Sequence, residues 1–135
     1  MSDQLYQERI VALAKAKTGA GKLASPTKSA RRDNPLCGDR VTIDVTVDGN
    51  GKIAEIAHQV RGCLLCQASA SALASVAVGR DVASIVDLRH DAERAIGRES
   101  GEAHEPFTAF APVRDYKSRQ ECVLLPFEAL QDALS

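Results

Sequence analysis

The stretch Val41-Thr42-Ile43-Asp44-Val45-Thr46-Val47-Asp48-Gly49-Asn50-Gly51-Lys52-Ile53 decides the fold. Apolar and polar residues alternate from 41 to 47, the period of a strand with one buried face. Asp48-Gly49 and Asn50-Gly51 follow, the dipeptides that best form a tight hairpin turn. Lys52 to Val60 reads as the return strand, with Ile56, His58 and Val60 on one face. Ile53 is out of phase with these three, which leaves room for a bulge near residue 54.

Upstream of the hairpin, Leu5, Tyr6, Ile10 and Leu13 recur at helical spacing. They predict an amphipathic helix from Asp3 to about Lys17, stopped by Gly19 and Gly21. Residues 22–36 are polar and carry Pro26 and Pro35, so they read as loop or a short edge strand. The Gly19-Ala20-Gly21-Lys22 stretch is too short for a phosphate loop, lacks the following Ser/Thr and has no strand before it.

Downstream, Gln67 to Val78 is mostly Ala, Ser and Val, a helix able to pack closely on a neighbour. A second helix is expected from an Asp81 cap to about Ile96. Phe107 to Phe110 reads as one helical turn. Ser118-Arg119-Gln120-Glu121 matches a capping box, which would place Cys122 in the first turn of a last helix. Pro126 is expected to bend or interrupt that helix before Leu134. Helix, strands, then helices argue α+β: a small antiparallel sheet with helices on one face, in a single domain over 1–135.

The chain has 135 residues, 44% of them hydrophobic, enough for a core without a disulfide framework. Its 17 basic and 18 acidic residues leave a net charge of −1. That offers no footprint for a phosphate backbone, and 4% aromatics without Trp offer no base-stacking surface. No apolar run approaches a membrane span, and the charged start lacks a secretory h-region. We therefore expect a cytoplasmic protein, no nucleic-acid partner, no membrane partner, and reduced cysteines suited to metal or redox chemistry.

Four cysteines carry that chemistry: Cys37, Cys63, Cys66 and Cys122. Antiparallel partners in a hairpin have numbers of constant sum, and the turn allows sums of 99 to 101. Cys37 and Cys63 sum to 100, so they project to the same end of the hairpin, and Asp39 points there too. Cys63 precedes one helix start, and Cys122 begins another. Helix N-termini favour the thiolate that binds metal and attacks sulfur. Three thiolates and a carboxylate suit zinc or iron–sulfur chemistry, although this reasoning alone does not bring Cys122 to the other two.

Other readings stay open at this point. Cys66 fits a small core residue, a substitute for Asp39 as ligand, or half of a Cys63-Leu-Leu-Cys66 dithiol. The dithiol motif normally sits in a βαβ unit, whereas a hairpin precedes it here. Asp39 after Gly38 is also turn chemistry. His58 fits a satisfied core histidine, while His90, His104 and the Arg31-Arg32 stretch fit solvent-facing positions.

Together these residues resemble the U-type iron–sulfur cluster assembly scaffolds, the IscU/SufU/NifU N-terminal family. The resemblance rests on Asn34-Pro35-Leu36-Cys37-Gly38-Asp39, on Gly62-Cys63 with Gln67-Ala68-Ser69-Ala70-Ser71, and on Arg119-Gln120-Glu121-Cys122. It covers nearly the whole chain, and the long stretch between Cys63 and Cys122 looks like the SufU branch. It implies metal ligation by Cys37, Asp39, Cys63 and Cys122, with zinc or an iron–sulfur cluster. Sulfur would arrive from a cysteine desulfurase, landing first on Cys37 or Cys122, and recipient apoproteins would take the product. Such a protein is more a scaffold or sulfur acceptor than a classical enzyme. The alternatives are a zinc-stabilised interaction domain, or a dithiol redox protein using Cys63 and Cys66. Four features depart from the family pattern: Ala14 to Ala20 replaces its His and Asn-Pro, Glu121 replaces a common Lys, Pro126 lies inside the last helix, and Cys66 is additional.

Overall fold

The structure, a computed structural model, describes residues 2–35 and 38–135, with side chains from residue 8 onward. Helix α1 (Ser2–Ala16) leads into strands β1 (Lys28–Asn34), β2 (Asp39–Val47) and β3 (Ile53–Arg61). Helices α2 (Leu64–Ala77), α3 (Ile85–Ala95) and α4 (Lys117–Leu134) follow, with 3-10 segments at Val82–Ser84 and Phe107–Asp115. The sheet is antiparallel in the order β1-β2-β3. The α+β expectation holds.

In β2, Val41, Ile43 and Val45 are fully buried while Thr42, Asp44 and Thr46 are not, so the period-2 pattern picks out the core face. The partner sum is 101 from Arg40↔Arg61 to Thr46↔Glu55 and falls to 100 at Val47↔Ile53. Ala54 is the extra residue, which is the bulge that the phase of Ile53 suggested. Lys28–Asn34, within the polar segment before β2, form the short edge strand β1, one of the two readings that the sequence offered for it. Its alternation is masked by Arg31, Arg32 and Asp33, because an edge strand is exposed along most of its length. Arg32 pairs with Asp132 at 2.9 Å, tying that edge to α4.

Helices α2 and α4 pack on the sheet, and α1 packs on α2. Close approach depends on small residues: a Cβ on Gly19 would lie 2.7 Å from the Cβ of Ala74. Buried Ser69 donates to the carbonyl of Val123 at 2.5 Å and so locks α2 against α4. Phe107 and Phe127 meet edge to face, centroids 5.4 Å apart, beneath α4.

Three local expectations need correction. Asp81 precedes a 3-10 turn, its side chain caps nothing, and α3 starts only at Ile85. The turn carries no apolar stripe of its own, so the two pieces read as one helix. Helix α4 begins at Lys117, not after a Ser118 cap, and Cys122 falls in its second turn. The capping-box residues are used differently: Gln120 is buried and bonds the carbonyl of Ile96, while Glu121 pairs with Arg98 at 2.8 Å. Pro126 does not interrupt α4, because Leu124, Leu125 and Phe127 around it are buried in the core. Packing offsets the missing N–H.

His58 is buried, and only half of its hydrogen-bonding capacity is met. Its Nε2 lies 2.7 Å from the Thr18 carbonyl and must carry the proton, while Nδ1 has no partner among the described residues. Backbone bonds from His58 N to Gly19 O and from Gly21 N to His58 O clamp the loop after α1 onto the edge of β3. Burial lowers the pKa of His58, and the Thr18 bond opposes this. The unfolded chain then binds a proton that the folded one refuses, so stability falls as pH drops below about 6.5. His58→Gln is expected to flatten part of the decline in Tm between about pH 7.5 and about pH 5.5. Equal slopes for the variant and the wild type would remove this account.

Candidate metal centre

The open end of the hairpin carries the site. Asp39 opens β2, and Cys63 follows β3 directly, as the residue that caps α2. The register that pairs Arg40 with Arg61 sets Asp39 against Gly62. Asp39 is 2% exposed, and its carboxylate accepts the backbone N–H of Cys63 at 3.1 Å. Its other oxygen lies 3.7 Å from the Cys63 Sγ. Hairpin geometry thus delivers a carboxylate and a thiol to one point.

Cys122 comes from α4, nearly sixty residues along the chain. It is 1% exposed, and ligand atoms of Asp39, Cys63 and Cys122 all lie within 4.8 Å of one another. Donors around a tetrahedral zinc with Zn–S bonds near 2.3 Å stand about 3.8 Å apart. The three groups therefore need to contract by about one ångström at most to share an ion. A cleft of about 490 Å³, lined by Gly38, Asp39, Gly62, Cys63, Ser118, Arg119 and Cys122, leads to them. Two soft donors and one hard donor at the base of a cleft suit zinc or iron and leave room for further groups.

Cys37, the fourth residue of the expected set, lies outside the described residues. Cys66 does not join the group. It is fully buried among the core side chains of α2 and forms no disulfide with Cys63. That is its core reading. His58 is also absent from the group, and His90 and His104 are exposed, paired with Glu99 and Asp91. A second cluster, His90-Glu93-Glu99, lies at the surface, where Arg89 and Arg94 already pair with its carboxylates.

Gly62 is the functional residue that motif reading undervalues. A Cβ there would lie 2.4 Å from Asp39 Oδ1 and 2.7 Å from its Cγ. The missing side chain is what lets the Asp39 carboxylate turn toward Cys63. Gly62→Ala is expected to displace Asp39 and to lower the affinity of this group for added zinc by about 10–100-fold, the usual effect of disturbing a ligand's support. A chelator competition titration measures this. The signal in the sequence was the Gly directly before Cys63, opposite Asp39 by register.

The chain is an α+β fold, a three-stranded antiparallel sheet covered by helices, with a carboxylate and two thiols gathered at the open end of its hairpin. The family model described as the NifU-like N terminal domain matches residues 5–123, and the chain belongs to that family. The iron–sulfur cluster assembly scaffold protein IscU of Thermotoga maritima is 29% identical over 132 residues, covering 96% of this chain and 92% of that protein. A crystal structure of a NifU-like N-terminal protein from Brucella abortus superposes with a TM-score of 0.86 at 31% identity, covering 98% of this chain and 93% of the other. A candidate SUF-system scaffold from Fervidobacterium islandicum AW-1 superposes with a TM-score of 0.88 at 31% identity over all of both chains. No helix among the described residues is long and apolar enough to cross a membrane.

Proposed function

We infer that this protein is an iron–sulfur cluster assembly scaffold of the SufU-like kind. It holds metal through Cys37, Asp39, Cys63 and Cys122 and accepts sulfur from a cysteine desulfurase. The observation that carries this reading is the convergence of Asp39, Cys63 and Cys122 at the base of an open cleft. Family membership and the scaffold relatives support it.

Zinc or iron, when bound, would hold the thiols as thiolates ready for exchange. Asp39 is the hardest donor of the set and the natural one to yield a position. The Cys63 N–H bond keeps its carboxylate aimed at the site in the meantime. A site thiolate then attacks the outer sulfur of a donor persulfide, and the donor leaves as a thiolate. The product, carried as sulfur or as a cluster, passes to recipient apoproteins, in keeping with a cytoplasmic assembly role.

The rival reading is a zinc-stabilised interaction domain, which the departures at Glu121 and Pro126 would favour if they disturbed the site. Glu121 is held by Arg98, and Pro126 leaves α4 whole, so neither disturbs the site. The test is to measure zinc and iron by elemental analysis and then supply a desulfurase, cysteine and radiolabelled sulfur. Wild type is expected to hold about one metal ion per chain and to take label on Cys37 or Cys122. A protein that holds neither metal nor label would overturn the proposal. Tightly held zinc without any label would favour the interaction domain.

A further inference from the structure

Among the described residues the cleft is lined by one cation, Arg119. Glu121, directly before Cys122, lies about 100° round the helix from it. Its carboxylate faces Arg98, and it does not line the cleft. Arg119 sits three residues before Cys122, on the same face of α4, and does line the cleft.

Most arginines in this protein are engaged. Arg9 pairs with Glu105, Arg32 with Asp132, Arg40 with Asp33, and Arg89 with Glu93. The Arg119 guanidinium has no hydrogen bond or ion pair among the described residues, and the side chain is exposed. Arg61 is likewise unengaged, but it does not line the cleft. Every other titratable group described on the cleft wall is an acid: Asp39, Cys63 and Cys122. A lone unpaired guanidinium over three acids is poised for an anion that comes from outside.

We propose that Arg119 is the anion-recognising residue of the cleft, receiving the negatively charged sulfur of an incoming persulfide and aligning it with a site thiolate. This rests on the sulfur-accepting function above. In the transfer, the thiolate attacks the outer sulfur of R–S–S⁻ and one S–S bond forms. The S–S bond to the donor breaks, and the donor leaves as R–S⁻. Charge is conserved, and no oxidant or reductant is consumed. Two anions must meet, and a guanidinium on the cleft wall offsets their repulsion. Its planar fork also orients the guest, which an ammonium does less well.

The experiment compares thiol labelling by the anionic disulfide 5,5′-dithiobis(2-nitrobenzoate) with labelling by neutral 2,2′-dithiodipyridine. The ratio of the two rates cancels differences in thiol ionisation. Arg119→Ala is expected to lower that ratio about tenfold at low salt, Arg119→Lys to retain most of it, and Glu121→Gln to leave it unchanged. A second measurement follows sulfur uptake from a desulfurase persulfide. Arg119→Ala should lower kcat/KM about tenfold at unchanged zinc content, with partial rescue by Arg119→Lys. An unaltered labelling ratio together with unaltered uptake overturns the role of Arg119 and leaves the scaffold function standing. Equal slowing of both reagents also overturns it, since that marks a structural effect. Wild type that accepts no sulfur from any desulfurase overturns the sulfur-accepting function and this role with it.

Discussion

Replacing Cys122 by serine is expected to weaken zinc binding about 1000-fold, which corresponds to about 4 kcal/mol. Cys122 supplies one of two described thiols within 4.8 Å of the Asp39 carboxylate, and no other described cysteine reaches the group. Serine keeps the size but replaces a soft, readily ionised donor with a hydroxyl that stays protonated at neutral pH. Competition with a chromogenic chelator gives the affinity, and far-UV circular dichroism checks the fold. Cys66→Ala is the matching control. It sits in the core, so it should cost stability yet shift zinc affinity by less than about threefold. If Cys66→Ala released zinc and Cys122→Ser did not, the assignment of the site would be wrong.

Phe127→Ala is expected to lower stability by about 3–5 kcal/mol, read from urea unfolding. For a chain of this size that is roughly a 10–18 °C fall in Tm. Phe127 is fully buried and meets Phe107 edge to face at 5.4 Å, which joins α4 to the 3-10 segment before it. A double-mutant cycle with Phe107→Leu should show a coupling of about 0.5–1.5 kcal/mol. The same variant should also weaken the proposed zinc binding, because α4 carries Cys122 and its buried packing helps to hold it over the sheet. Lost stability with intact zinc affinity would mean that the site end of α4 is anchored independently. Gln120 and Arg98 are the groups that would do it, through Ile96 and Glu121.

The hairpin was legible because its information is local. Alternation over 41–47, the Asp-Gly and Asn-Gly turn and the phase of Ile53 each reflect a few neighbouring residues, and each has its counterpart in the structure. Strand β1 was harder to see, since an exposed edge leaves no hydrophobic period to find. The start of α4 was misread for a related reason. Ser118-Arg-Gln-Glu121 satisfies a capping pattern, but Gln120 and Glu121 are recruited by Ile96 and Arg98, just after α3, and the helix begins earlier. Distant partners outweighed a local rule worth about 1 kcal/mol.

The amino-acid order alone established the hairpin and its register to within about one residue, and so sent Asp39 and Cys63 to the same end; the structure fixed the pairing sum at 101, which sets Asp39 against Gly62. Those positions are connected by short-range pairing, where each residue constrains the next. Folding in three dimensions decided three further things. It brought Cys122 to that end of the sheet, through buried contacts such as Ser69 with Val123 and Phe107 with Phe127. It assigned Cys66 to the core and left it out of the site. It also turned Glu121 toward Arg98 and Arg119 toward the cleft. The physical reason is the same in each case: the rotation of a helix about its axis is set by the surface it buries, and that surface belongs to segments far away in the chain.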